Sequence, residues 1–126
     1  NKTKNIMKIK DKQKTIKIKS FPVPHGKVKS ICYIFDQKLA YISDVSDIEK
    51  KNFKYFKNLK YLVVDCLWYK YHPSHLNLEK VLELTKIFKP KKTILTNLHS
   101  DLDYKELLNK LPKKIIPAYD GMTLSL

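Results

Sequence analysis

The segment Tyr61-Leu62-Val63-Val64 constrains the fold more than any other stretch of this sequence. Consecutive apolar residues without alternation are typical of a strand that is buried on both faces. A helical pattern follows, in which Asn77 can cap a helix that ends before Pro90. A further short strand is predicted over Thr93–Thr96. A buried strand, a helix and another strand in this order indicate an α/β protein.

The amino-terminal side predicts antiparallel strands. Apolar residues alternate with lysines on both sides of a polar break over 11–14, which predicts a β-hairpin with one solvated face. The alternating residues are Met7, Ile9, Ile16 and Ile18. The second strand is predicted to continue through Val23, and the segments 28–35 and 39–43 are predicted to form the next strand pair.

Three further elements follow from capping and turn signals. Ser46-Asp47 can cap a short helix, and Asp103 resembles the start of a capping box that opens a helix. Near the carboxyl terminus, Asp120-Gly121 is a strong hairpin-turn signal between the apolar segments 115–116 and 122–124. The sequence therefore predicts a mixed sheet of six or more strands.

Composition limits the class of protein. The 126 residues fit a single domain over 1–126, with 1–14 as a lysine-rich opening strand and turn. All 26 basic residues are lysine, so the net charge of +14 lacks the arginine that nucleic-acid surfaces favour. No apolar run is long enough to span a membrane, and Cys32 and Cys66 form no disulfide framework. We expect a cytoplasmic globular protein.

Polar residues fall where predicted strands end, which is where α/β proteins gather their active sites. These residues are His25, Asp44, Asp65 and His99. Histidine and carboxylate together are ligands of zinc, iron and manganese. The same positions are also compatible with ordinary turn and cap residues, and His72 and His75 precede a helix where polar residues are common. Cys66 is interpreted as a small core residue.

Several segments occur in an order that is specific to one family. They are Phe21–Gly26, Leu39–Asp44, Leu62–Leu67, His72–His75, Ile94–Tyr104, Leu111-Pro112 and Pro117–Met122. Their order resembles the carboxyl-terminal half of the metallo-β-lactamase-fold hydrolases, in the branch that contains the phosphoribosyl 1,2-cyclic phosphate phosphodiesterase. The resemblance covers residues 15–126.

The resemblance implies a role for each of five residues. His25 would be a ligand of one metal ion, His99 a ligand of a second, and Asp44 the carboxylate that bridges them. His75 matches a histidine near the substrate that acts as general acid, and Asp65 matches a carboxylate that supports the site. In the intact family, two divalent ions, zinc or manganese, would clamp a phosphodiester and activate a bridging water.

The motif that defines the family is missing. His-x-His-x-Asp-His belongs to the first half of the fold, and this sequence contains no His-x-His. The resemblance therefore implies half of an αββα sandwich, with a mixed sheet, two or three helices and one uncovered sheet face. Such a face predicts either a partner chain that carries the amino-terminal half or a homo-oligomer. We expect a truncated hydrolase that is inactive without that half.

Two other functions stay open at this point. A non-catalytic remnant or interaction module is favoured by the missing motif and by Cys32-Tyr33-Ile34, where the family usually has Gly-Tyr-Arg. Nucleic-acid binding through the lysines is a third possibility, and it predicts an affinity that falls steeply with salt. The start at Asn1 is interpreted as that of a fragment, a processed product or one half of a split gene.

Overall fold

A computed structural model describes residues 5–11 and 14–126, and within them the chain forms one mixed sheet of seven strands. The strands are β1 (Asn5–Asp11), β2 (Lys14–His25), β3 (Val28–Phe35), β4 (Leu39–Ile42), β5 (Tyr61–Asp65), β6 (Lys92–Thr96) and β7 (Ile115–Pro117). The helices are α1 (Leu78–Phe88), α2 (Tyr104–Lys110) and a 3-10 helix at Lys50–Phe56. The predicted α/β class, mixed sheet and two or three helices are confirmed.

The strands lie in the sheet in the order in which they occur in the chain. Strands β1 to β4 pair antiparallel, whereas β4 to β7 pair parallel. Each antiparallel pairing reverses the strand direction, so β2 and β4, which both flank β3, run parallel to each other. Both therefore point the same way as β5 and β6. The carboxyl ends of these four strands therefore lie along one edge of the sheet.

Both predicted antiparallel pairs are present. In the first hairpin, Met7 lies opposite Ile18 and Ile9 lies opposite Ile16, while part of its predicted turn falls outside the described residues. The turn between β3 and β4 is tight, because Asp36 and Gln37 both adopt positive φ, at 50° and 56°. Aspartate tolerates this conformation better than most residues do.

The main core lies on one face of the sheet, beneath α1 and the 3-10 helix. Strand residues of this core include Phe21, Val23, Cys32, Ile34, Ala40, Ile42, Leu62, Val64 and Leu95. From the helices, the rings of Phe56 and Phe88 stack with centroids 4.7 Å apart, and Phe53 meets Phe88 edge-on at 5.0 Å. Asn77 caps α1 as predicted, since its side chain accepts a hydrogen bond from the Lys80 N–H.

No helix in the described part of the chain has the length and apolar character needed to cross a membrane.

The opposite face of β1 to β4 is apolar and uncovered in this structure. We call it the open face, and it consists of Met7, Ile9, Ile16, Ile31, Tyr33 and Tyr41, each between 38% and 52% exposed. Strand alternation and the pairing register place all six on the same side. Ile6, on the other side of β1, is 59% exposed. The part of the first hairpin near its turn is thus exposed on both faces, whereas Ile18 is buried.

Two predicted elements are wrong in detail. The helix expected to start at Ser46-Asp47 begins only at Lys50 and is a 3-10 helix, and the Asp47 carboxylate accepts the N–H of Ile48 ahead of it. The final hairpin is absent, since 122–124 forms no strand. Strand β7 ends at Pro117, which has no N–H to extend a ladder. The assignment of 1–126 to one domain stays a prediction.

The two cysteines are core residues, which agrees with the interpretation of Cys66. Both are completely buried, and burial raises the pKa of Cys66 to about 12 with a further contribution from the nearby Asp65. Burial also raises the pKa of Cys32. We expect Ellman's reagent at about pH 8, near the ordinary thiol pKa, to label neither thiol in the folded chain. Both should react in concentrated guanidinium chloride, and labelling in the native state would contradict the burial.

Candidate metal centre

The edge formed by the carboxyl ends of β2, β4, β5 and β6 collects most of the predicted site residues. His25 and Asp65 are the last residues of β2 and β5, and Asp44 lies two residues beyond β4. Asn97 directly follows β6 and has a φ of +60°. The N–H of Ser46 donates to the carbonyl of Pro24 at 2.8 Å, which holds the loop after β4 against the end of β2.

Asp65 is the hydrogen-bond acceptor at the centre of this edge. Its side chain is fully buried, and Oδ2 accepts from the backbone N–H of Val45 at 3.1 Å and from Nδ1–H of His75 at 2.6 Å. Oδ1 accepts from the Asn97 amide at 3.3 Å. Burial raises the pKa of Asp65 above its ordinary value, while the hydrogen bonds from Val45, His75 and Asn97 oppose that rise. Asp65 therefore ties together the loops that carry Val45, His75 and Asn97.

The loop before α1 brings His75 and Ser74 to the same edge. The Ser74 N–H donates to Nδ1 of His72 at 3.1 Å, and the rings of His72 and His75 lie 5.1 Å apart. The Ser74 carbonyl accepts from Nδ1–H of His25 at 2.7 Å. Ser74 thereby fixes the ring of His25, whose centroid is 4.8 Å from that of His75.

His25, Asp44 and His75 form a group that can hold a metal ion. One ligand atom from each lies within 4.8 Å of the others, and all three side chains are partly exposed. Two imidazoles and one carboxylate suit zinc, manganese or iron. Metal-binding histidines usually donate their other ring N–H to a carboxylate or a backbone carbonyl. His75 and His25 do so to Asp65 and Ser74, so the donor set and its supports fit a divalent ion.

His99 lies apart from this group. Its ring stacks on Trp68 at 5.4 Å, and its Nδ1 accepts a hydrogen bond from the N–H of Asp101 at 3.1 Å. Of the predicted metal ligands, the structure therefore brings together His25 and Asp44, and it adds His75, which was predicted as a general acid. The roles assigned to His25, Asp44, His75, His99 and Asp65 stay predictions.

Sequence reasoning missed Asn97. Its amide donates to the Ser43 carbonyl at 3.3 Å and to Oδ1 of Asp44 at 3.4 Å, besides Asp65. Its position directly after a predicted strand was the available signal, because that rule had selected the other residues of this edge. An asparagine in a loop is common, however, and His99 two positions later is the more obvious metal ligand.

The sequence matches the family profile described as "Beta-lactamase superfamily domain" over residues 2–97. The chain belongs to this family. Among curated proteins, none matches it at a significant level. The family match agrees with the metallo-β-lactamase fold expected from the resemblance.

Solved structures show the same fold. A diphosphatase from the PhnP family is 32% identical, with a TM-score of 0.84 over 88% of this chain and 44% of its own. Human tRNase Z, short form, is 14% identical, with a TM-score of 0.66 over 96% of this chain and 47% of its own. YhfI from Bacillus subtilis is 12% identical, with a TM-score of 0.68 over 92% of this chain and 51% of its own. This beta-lactamase superfamily chain thus spans about half the length of these structures.

Gly26 allows the superfamily domain to hold His25 against Ser74. Its φ is +62°, and a Cβ at this position would lie 2.5 Å from Oγ of Ser74. We expect Gly26→Ala to lower the free energy of unfolding by about 1–2 kcal/mol through the left-handed backbone. It should also weaken zinc binding, because Ser74 must shift. Urea denaturation and isothermal titration calorimetry measure the two effects.

The matched control is Gly121→Ala. Gly121 also has a positive φ, of +89°, but an added Cβ there meets no atom within 4 Å. This variant should lose stability through the backbone and keep the zinc affinity of the wild type. Equal zinc affinities for the Gly26 and Gly121 variants would contradict the role of Ser74 in orienting His25.

Proposed function

We propose that this chain is the carboxyl-terminal half of a metal-dependent, phosphodiesterase-like hydrolase of phosphoric esters that works in the cytoplasm. The observation that carries the proposal is the group of His25, Asp44 and His75, with both imidazoles oriented by hydrogen bonds. The group lies in a chain that is 32% identical to a diphosphatase. The substrate class is accordingly a small molecule with a phosphodiester or diphosphate group.

The residues of this chain would hold the metal ion, and they would not bind the substrate. A bound divalent ion lowers the pKa of a water molecule towards neutrality and stabilises charge on a phosphoryl oxygen. His25 and Asp44 would hold that ion. The Ser74 carbonyl accepts from Nδ1–H of His25, which leaves the lone pair of the neutral ring on Nε2.

Hydrolysis would need a complementary half that carries the missing His-x-His-x-Asp-His motif. A second metal ion requires ligands beyond the one group that the described residues bring together. The cavity of about 380 Å³ beside His75 is lined by neither His25 nor Asp44. Because this cavity is separate from those two residues, we assign the binding of the substrate to the other half.

The open face is where we expect the complementary half to dock. Six apolar side chains lie on one side of β1 to β4 and are each at least 38% exposed. Large exposed apolar patches mark interaction sites in soluble proteins. The diphosphatase that this chain resembles has a chain more than twice as long as the part that matches. A layer formed by that remaining half, on the same chain or on another, is therefore the occupant we propose.

The hydrolytic proposal is tested with bis-p-nitrophenyl phosphate and an organic diphosphate in the presence of zinc or manganese. The chain alone should be inactive, and mixing it with the amino-terminal half of the related diphosphatase should produce hydrolysis. Asp44→Asn should lower this activity by at least about 100-fold, because loss of a metal ligand should cost at least as much as the roughly 10- to 100-fold typical of groups that only orient a ligand.

Asp120→Asn is the control, because Asp120 is an exposed carboxylate outside the group. It should leave the activity unchanged. Association of the two halves without hydrolysis of either substrate would reject the enzymatic proposal and favour a non-catalytic interaction module.

The docking proposal is tested by Tyr33→Lys, which places a charge in the open face. Light scattering after size-exclusion chromatography should show a complex between this chain and the complementary half. The substitution should weaken the complex by at least about tenfold, since an interface charge without a partner costs more than about 1.4 kcal/mol.

Val28→Lys is the matched control. Val28 is on the same strand and is 62% exposed, but strand alternation places it on the other side of the sheet. It should leave the complex unchanged. If the chain instead forms a dimer of itself that persists when the complementary half is added, a second copy is the occupant and the proposal is wrong.

A further inference from the structure

A cavity lies between the hairpin of β2 and β3 and the 3-10 helix. Its volume is about 540 Å³, within the range of about 300–1,000 Å³ for sites that bind small molecules. The three residues of the candidate metal centre do not line it. We call this cavity the lysine cleft, because its lining residues include Lys27, Lys29, Lys51 and Lys54.

Apolar and aromatic side chains form the floor of the lysine cleft. Phe21 and Val23 come from β2, and the ring of Tyr55 from the 3-10 helix lies 5.1 Å from that of Phe21. These three side chains are buried, whereas Val28 forms an apolar wall that is 62% exposed. Strand alternation places Phe21, Val23 and Val28 on the side of the sheet away from the open face. The cleft is therefore a different surface from the one proposed to dock the complementary half.

The charges around the lysine cleft are predominantly positive. Of the described residues that line it, Glu49 is the one carboxylate, and it pairs with Lys51 at 3.5 Å. Lys27, Lys29 and Lys54 take part in no ion pair among the described residues. A concave surface lined by charges of one sign concentrates its field and attracts ions of the opposite sign. The cleft therefore favours an anionic ligand.

Two ammonium groups lie over the aromatic ring at the floor of the cleft. Nζ of Lys54 is 5.3 Å from the centroid of Tyr55, and Nζ of Lys19 is 5.1 Å from it. Attraction to the face of the ring holds both cations near the floor. They come from different elements, the 3-10 helix and β2, and they repel each other. An anion bound close to both would offset that repulsion.

Composition alone does not account for this cleft. In the same lysine-rich chain, the charged residues that line the cavity beside His75 are Asp47, Glu79, Glu83 and Lys80. Lys80 pairs there with Asp47 at 3.8 Å and with Glu83 at 3.7 Å. Carboxylates therefore outnumber lysines in that cavity, whereas lysines outnumber carboxylates in the lysine cleft.

We propose that the lysine cleft binds a small organic polyphosphate. The phosphates would contact the ammonium groups of Lys27, Lys51 and Lys54, and the organic part would lie against Val28 and the floor. Lysine binds phosphate as a point charge, so the site needs no arginine. A cavity of this volume suits one small molecule better than the backbone of a nucleic acid. The ligand is distinct from the hydrolysed ester, and the inference does not depend on the metal-dependent function proposed above.

Isothermal titration calorimetry with ATP tests the proposal, in the presence of EDTA so that no divalent ion is available to the candidate metal centre. We expect one ATP per chain and an affinity that falls with added sodium chloride, which screens exposed charges. The double variant Lys51→Glu/Lys54→Glu should bind ATP at least about tenfold more weakly, because two attractive charges become repulsive. Lys27→Glu, in the exposed turn after β2, should weaken binding independently. Circular dichroism verifies that each variant is folded.

Lys105→Glu/Lys113→Glu is the matched control. Both lysines are exposed and lie outside the cleft, and the double variant changes the net charge by the same amount. It should bind ATP like the wild type, apart from the small long-range effect of net charge. Equal losses in the two double variants would overturn the proposal, since the cleft would then contribute nothing specific.

The contribution of the apolar wall is tested by Val28→Ala. This variant should bind ATP about two- to threefold more weakly through the lost apolar contact, and it should bind inorganic triphosphate like the wild type. Ile87→Ala is the control, because Ile87 is also exposed but lies on α1 outside the cleft. An equal affinity of the wild type for triphosphate and ATP would overturn the organic part of the assignment.

Three further results would overturn the proposal and leave the metal-dependent function intact. The first is no binding of ATP. The second is binding only after EDTA is replaced by zinc, which would place the phosphates at the candidate metal centre. The third is a single-stranded oligonucleotide that binds more tightly than ATP and displaces it, which would identify a nucleic acid as the occupant.

Discussion

The buried carboxylate of Asp65 is the contact on which the arrangement of the site depends. It is fully enclosed and accepts hydrogen bonds from Val45, His75 and Asn97, which belong to three different loops. A buried carboxylate without such partners costs several kcal/mol. The three loops therefore have to be in place together, and their positions set those of His75 and Asp44. Hydrogen bonds to one buried carboxyl group at the end of β5 thus join three loops of the site.

The direction of the strands explains why these loops meet. Two antiparallel steps from β2 to β4 return the chain to the direction that β5 and β6 continue in parallel. His25 and Asn97 are 72 positions apart in the sequence, yet His25 ends β2 and Asn97 follows β6 on the same edge of the sheet. The same sheet has its main core on one side, so the strand arrangement that brings the polar residues together also leaves the open face exposed in the described structure.

Local signals predicted most of the fold. Alternation identified the antiparallel strands, the run at 61–64 identified a strand buried on both faces, and Asn77 was recognised as a cap. Errors arose where a local signal needed a distant partner. Asp120-Gly121 favours a hairpin, but β7 is short, ends in a proline and pairs with β6 in parallel. A turn sequence alone does not form a hairpin when the segment after it does not pair as a strand.

The candidate site also combines features that the sequence predicted with features that only the tertiary structure revealed. The sequence by itself determined the family, the sheet and the rule that polar residues after strand ends converge, because alternation, capping and motif order are properties of neighbouring residues. Only the tertiary structure decided that His75 joins His25 and Asp44 while His99 stacks on Trp68. It also revealed Asn97 between Asp44 and Asp65. Those outcomes depend on the direction in which each loop leaves the sheet, and hydrogen bonds between residues far apart in the chain set that direction.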